Sequence, residues 1–146
     1  MTEPSAAQPL PKVLYTAVVT ATGGRDGVAK SSDGKLEVRV TPPKELGGTG
    51  EGTNPEQLFA AGYAACFGSA CAHVARAQKL TTGTIAITAQ VKFGPIATGF
   101  GLQVELVAEI PQLARDQAEA LLRRAHEVCP YSNATRGNIV VDVRLA

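Results

Sequence analysis

The sequence predicts an α+β fold with two mainly antiparallel sheets and two principal helices. Alternating apolar residues come in grouped segments, as hairpins do, rather than singly between helices. Two stretches with helical signals interrupt them, one opened by Thr53-Asn54-Pro55-Glu56 and one closed by Cys129-Pro130. The resulting order, β-β-β-α-β-β-α-β, lacks the regular βαβ repeat of a parallel sheet.

Each element has its own local reason. Val13 to Thr20 is rich in β-branched residues and reads as the first strand. Val28 to Val40 breaks at Ser32-Asp33-Gly34, with Leu36, Val38 and Val40 alternating beyond, so it reads as a hairpin on an Asp-Gly turn. After a glycine-rich loop over 47–52, a polar cap, a proline at the first helical position and an acid in the first turn start a helix that runs to about Gln78. Its middle, Ala60 to Ala72, is almost all small residues and suits close approach of another element. Ile85, Ile87, Ala89, Val91 and Phe93 alternate, as do Leu102, Val104, Leu106, Ala108 and Ile110, giving a second hairpin joined around Gly94-Pro95 to Gly101. Ala114, Ala118, Leu121, Leu122 and Ala125 form the stripe of a second helix, and Ile139 to Leu145 alternates through a last strand.

Composition narrows the function. With 146 residues, 45% hydrophobic and 18% charged, and a mean hydropathy of +0.04, the chain reads as one folded domain over 13–146 behind a flexible tail over 1–12. A net charge of +1 leaves no cation surplus for a polyanion, and the absence of Trp removes a usual stacking platform, so nucleic acid is not an expected partner. Met1 to Pro11 lacks the basic and apolar regions of a secretory signal. The apolar run Phe59 to Val74 is interrupted by Ser69 and His73 and falls short of the ~20 residues a bilayer requires. A cytoplasmic protein without a membrane partner is expected. Three cysteines cannot all pair, so any disulfide there is expected to be transient.

Those cysteines are the first candidates for chemistry. Cys66 lies too deep in the first helix for the macrodipole to lower its pKa, so a reactive thiolate there needs a cation; as a small apolar residue it needs only burial. Cys71, roughly 140° round the helix from Cys66, reads as structural. Cys129 ends the second helix before Pro130, where it is either packed or presented to a cavity. His126 and Cys129, with Cys66, Cys71 and His73, contain no Cys-x-x-Cys pair, and no metal site is expected; His126 reads as a solvated or helix-end histidine. Arg25, in the loop Ala21-Thr22-Gly23-Gly24-Arg25-Asp26-Gly27, is either solvated or held by Asp26, and Glu56 complements the helix N-terminus.

Five runs together resemble the organic hydroperoxide resistance family of thiol peroxidases, a sister group of the osmotically inducible proteins. They are Tyr15-Thr16-Ala17 with the Gly-Gly-Arg-Asp-Gly loop, Glu45-Leu46-Gly47-Gly48, Thr53 through Phe67, Gly99-Phe100-Gly101-Leu102, and Val128 through Asn138. The resemblance spans Leu14 to Leu145. It implies that Cys66 is the peroxidatic cysteine, Cys129 the resolving cysteine, and Arg25 with Glu56 the pair that activates Cys66. It also implies an intertwined homodimer, no bound cofactor, organic hydroperoxides as substrates, and recycling by dihydrolipoamide or lipoylated enzyme subunits.

Helix geometry adds a condition. Glu56 and Cys66 are ten positions apart, about 15 Å along a straight helix, so either Glu56 acts in another subunit or the helix breaks near Gly62. Phe67, Ile96, Phe100 and Tyr131 are candidates for an apolar wall that would favour alkyl and fatty acid hydroperoxides, and each equally fits ordinary core. The alternatives are a peroxidase of the osmotically inducible type, with broader peroxide use, and a noncatalytic dimer that binds acyl chains.

Overall fold

The computed structural model describes residues 7–146. The part of the expected tail over 1–6 lies outside the described residues, and Leu10 within the rest of it is exposed. The chain divides into two compact units, the first ending at Thr53 and the second being Asn54–Ala146.

The first unit is an antiparallel sheet of β1 (Val19–Thr22), β2 (Gly27–Ser31) and β3 (Glu37–Val40), in that order. The first strand starts at Val19, not Val13: β2 offers pairing partners only to residues 19–22, and Val13, Leu14, Tyr15 and Val18 stay exposed despite their β propensity. The Asp33-Gly34 turn forms as expected. Gly34 takes a φ of 73°, Asp33 Oδ1 accepts hydrogen bonds from the Ser31 hydroxyl and the Lys35 amide, and the Ser31 hydroxyl oxygen accepts the Leu36 amide. A short 3-10 turn, Lys44–Leu46, precedes the glycine-rich loop, and the buried Thr41 hydroxyl accepts the Gly52 amide at 2.7 Å to fix it.

The second unit begins with α1 (Pro55–Ala77). Asn54 caps it by accepting the Gln57 amide at 2.9 Å, and Pro55 occupies the first turn, where its missing N–H is no loss. The helix is unbroken through Gly62 and Gly68. By length and composition it is apolar enough to cross a membrane, but Tyr63, Phe67, Ala70, Cys71, Val74 and Ala75 form a buried stripe in the core of this unit.

Strands β4 (Ala86–Ile96) and β5 (Gly99–Glu109) form the second hairpin, with Ile87 opposite Ala108, Ala89 opposite Leu106 and Val91 opposite Val104 on its buried face. Pairing continues through Gly94, Pro95 and Ile96, so only Ala97 and Thr98 remain in the turn expected around Gly94 to Gly101. Proline is tolerated because β4 is an edge strand. Helix α2 (Arg115–Val128) buries Ala118, Leu121, Leu122 and Ala125; Ala114, expected on that stripe, is instead its exposed cap. A further helix not read from the sequence, α3 (Pro130–Thr135), follows at once. Strand β6 (Val141–Leu145) returns parallel to β5, the helical crossover between them giving the length such a pairing requires. The remaining pairings between strands are antiparallel, a single parallel bridge from Val40 to Thr53 aside, so the α+β, mainly antiparallel architecture is as expected.

Candidate active site

The helical periodicity of α1 separates its two cysteines. Cys71 falls on the buried stripe with no exposure, while Cys66 falls at its margin and is half-buried. Cys129 comes to meet the second of these. Its amide donates to the Ala125 carbonyl, closing α2, and its extended backbone (φ −65°, ψ 124°) then turns the chain into Pro130, the first residue of α3. This junction holds the Cys129 side chain at 0% exposure, with its sulfur 3.6 Å from Cys66 Sγ. All three cysteines are free thiols.

Cys66 opens on a groove of about 490 Å³ between α1 and the α2–α3 junction, lined also by Ser69, His73, Arg76, Val128 and Pro130. Burial pushes its thiol above the ordinary value. The backbone N–H of Tyr131, directed at the sulfur, opposes that shift, and the neighbouring Cys129 adds to it. The basic groups in the groove are remote, His73 and Arg76 standing about 10 and 15 Å further along the helix axis by its rise. A reactive thiolate at Cys66 therefore needs a cation beyond those α1 provides. Burial, with the neighbouring Cys129 adding to it, pushes Cys71 up to about 12, which keeps that thiol protonated and unreactive.

A chain of hydroxyls braces the junction. Tyr63, wholly buried on α1, has its hydroxyl 3.0 Å from Ser132 Oγ and 3.1 Å from Thr135 Oγ1. His126 Nδ1 lies 2.8 Å from the same Ser132 Oγ, and the Arg136 guanidinium donates to the His126 carbonyl. Burial and the Arg136 charge lower the His126 pKa, favouring the neutral imidazole. Beside this chain the rings of Phe59, Tyr63 and Tyr131 pack with centroids 5.6 to 6.2 Å apart, and Tyr131 lies over Gly62. A Cβ at position 62 would come 2.9 Å from Tyr131 Oη. The sequence places His126 in solvent or at a helix end; the structure places it half-buried at that end and hydrogen-bonded. Ser132 and Thr135, three apart after Pro130, are the signal that could have revealed the braced turn.

The structure thus brings together Cys66, Cys129 and the Tyr131 backbone. Phe67 is not on the groove surface but wholly within the core, its ring 6.4 Å from that of His126. Ile96 and Phe100 are exposed at the tip of the β4–β5 hairpin, where Phe100 stacks on Phe93 at 5.0 Å, and neither lines the groove. Arg25 and Asp26 belong to the first unit, in the β1–β2 turn that the Asp26 amide closes by donating to the Gly23 carbonyl. That turn requires glycine: Gly23 has a φ of 85°, and a Cβ at Gly27 would lie 1.8 Å from the Thr22 carbonyl oxygen. Glu56 is half-buried in the first turn of α1, and because that helix does not break at Gly62, it is about 15 Å along the axis from Cys66 of its own chain. Among the described residues no three His, Cys, Asp or Glu side chains are grouped as metal ligands would be.

A half-buried thiol in a groove, backed by a buried thiol within contact distance, makes this an α+β dithiol protein. The family model of OsmC-like proteins matches residues 48–144. The organic hydroperoxide resistance protein of Xanthomonas axonopodis pv. citri is 55% identical over 137 residues, covering 92% of this chain and 96% of its own. A crystal structure of an organic hydroperoxide resistance protein from Legionella pneumophila is 50% identical with a TM-score of 0.90, covering 92% of this chain and 99% of that one. Another, from Vibrio cholerae with captopril bound in one of its active sites, is 49% identical with a TM-score of 0.89 and covers 92% and 94%. The chain belongs to the OsmC-like family, and within it to the organic hydroperoxide resistance proteins.

Proposed function

We propose that the protein is a cytoplasmic thiol peroxidase that reduces organic hydroperoxides, alkyl and fatty acid hydroperoxides among them, to alcohols. The observation that carries this reading is the 3.6 Å separation of the Cys66 and Cys129 sulfurs, the first open to a groove and the second enclosed. The names of the relatives, which refer to organic hydroperoxide resistance, support the substrate class.

The Cys66 thiolate attacks the terminal oxygen of the hydroperoxide. A sulfur–oxygen bond forms, the oxygen–oxygen bond breaks, and the alkoxide leaves and takes a proton to become the alcohol, with Cys66 left as a sulfenic acid. Cys129 then attacks the Cys66 sulfur; the sulfur–sulfur bond forms, the sulfur–oxygen bond breaks, and hydroxide departs to be protonated to water. The sulfurs have only about 1.5 Å to close, since a disulfide bond is about 2.05 Å long. Dihydrolipoamide or lipoylated enzyme subunits return the disulfide to dithiol, and no cofactor is bound.

Burial raises the Cys66 pKa, so the thiolate requires a cation, and Arg25 fills that role with Glu56 orienting its guanidinium. Since α1 is unbroken, Glu56 serves the Cys66 of a second subunit, which makes the working form a homodimer. Asp26 steadies the arginine loop, and Val128 and Pro130 border the path to the thiol, with the Tyr131 backbone N–H at its sulfur.

The test is intact-protein and peptide mass spectrometry of the reduced protein after one equivalent of cumene hydroperoxide. A Cys66–Cys129 cross-link with stoichiometric alcohol, reversed by dihydrolipoamide, is the expected result. Unconsumed peroxide and two reduced thiols would overturn the reading.

A further inference from the structure

The turn that carries Cys129 is held by its main chain at Cys129, whose amide donates to the Ala125 carbonyl and whose carbonyl accepts the Asn133 amide, but not at the two residues that follow. Pro130 has no N–H, the Tyr131 N–H is directed at the Cys66 sulfur, and α3 is six residues long, too short to be stable alone. Side chains add to that hold, and proton counting along the hydroxyl chain shows how. Thr135 has one hydroxyl proton and gives it to main-chain carbonyls, that of Tyr131 at 2.9 Å foremost. Its oxygen must then accept the Tyr63 proton, the Tyr63 oxygen the Ser132 proton, and the Ser132 oxygen a proton from His126 Nδ1. The chain runs one way, from the imidazole to the Tyr131 carbonyl, and leaves none of its buried polar atoms unpartnered.

We propose that His126, Ser132, Tyr63 and Thr135 are positioning residues for the second half-reaction, a directional hydrogen-bond chain that holds the 129–131 turn against α1 so that Cys129 stays within reach of the oxidised Cys66. This assignment rests on the peroxidase reading above. The step it serves joins the Cys129 sulfur to the Cys66 sulfur, breaks the sulfur–oxygen bond of the sulfenic acid and releases its oxygen as water with the Cys129 proton. A turn free to drift leaves the sulfenic acid exposed without affecting the Cys66 thiol's first encounter with peroxide to the same degree.

The experiment divides the two steps. Reduced protein receives one equivalent of cumene hydroperoxide with dimedone present, and peptide mass spectrometry gives the ratio of Cys66–Cys129 disulfide to dimedone-labelled Cys66. In Tyr63→Phe and His126→Leu that ratio is expected to fall at least tenfold from the unaltered protein's, and His126→Asn, whose amide nitrogen replaces Nδ1, to restore it to within threefold. An unchanged ratio in the folded variants overturns the proposal, and so does failure of His126→Asn to restore what His126→Leu loses, since the loss would then be one of packing. If Tyr63→Phe does not fold, the two His126 variants decide alone. Absence of the disulfide in the unaltered protein would instead overturn the functional reading.

Discussion

Cys129 Sγ lies 3.6 Å from Cys66 Sγ although the two are 63 positions apart in the chain, and each sulfur has different surroundings, one half-open and one sealed. Under the proposed peroxidase function this asymmetry sets the order of events. A peroxide entering the groove meets Cys66, and Cys129 is reached only from Cys66.

Removal of each thiol should therefore fail differently. Cys66→Ser is expected to abolish peroxide reduction. Cys129→Ser is expected to consume one equivalent and stop, holding Cys66 as a sulfenic acid that excess peroxide drives to sulfinic acid. Peroxide consumption followed by mass spectrometry checks both, and sustained turnover by Cys129→Ser with dihydrolipoamide would show that Cys129 is not the resolving thiol.

Cys71 should be silent in turnover and visible at alkaline pH. Its folded pKa of about 12 stands above the unfolded value near 8.5, so its burial contributes stability that is fully present below about pH 8.5 and is lost as pH rises toward 12. The loss from this one group approaches, at most, about 1.4 kcal/mol per pH unit. Cys71→Ala should cost about 1 kcal/mol at pH 7 through the lost packing, keep full peroxide turnover, and decline less steeply in denaturation midpoint between pH 9 and 11. Parallel pH profiles for the two proteins would contradict the burial argument.

The start of α1 offers a test of local energetics. Asn54→Ala leaves the Gln57 amide without its acceptor at a site only 9% exposed, and should lower stability by about 1 kcal/mol. Urea denaturation measures it, with Asn54→Asp, which retains an acceptor, expected to stay near the unaltered value.

What was legible in the sequence was what neighbouring residues decide. The Asn54-Pro55 cap, the Asp33-Gly34 turn and the alternation of Ile87, Ala89 and Val91 each express a short-range rule, and each element formed where that rule placed it. Val13 to Ala17 has the propensity of a strand, but the register of β2 reaches only residues 19–22, with one further bond from the Ser32 amide to the Val18 carbonyl, and propensity alone gave no strand there. α3 was missed because six residues show no helical period and Cys129-Pro130 read as an end. In the site, helix phase separated Cys71 from Cys66, but the residues gave no role to either Cys66 or Cys129; the family resemblance supplied those roles. The contact of Tyr63 with Ser132, 69 residues apart, exists only in the folded chain and left no local pattern to read.

The placement of Glu56 yields the sharpest prediction about assembly. On an unbroken α1 it cannot touch Cys66 of its own chain, so a site that uses both must draw them from two subunits. Glu56→Ala alone is expected to lower kcat/KM for cumene hydroperoxide by about 10²-fold, an ion-pair contribution of roughly 3 kcal/mol, and Cys66→Ser alone to be inactive. Mixing the two after unfolding and refolding together should restore activity, because a mixed dimer contains one site with Cys66 from the first chain and Glu56 from the second. With random pairing half of the dimers are mixed, each with one intact site, so about a quarter of the unaltered activity is expected. Activity no greater than the sum of the separate variants would place Glu56 outside a shared site.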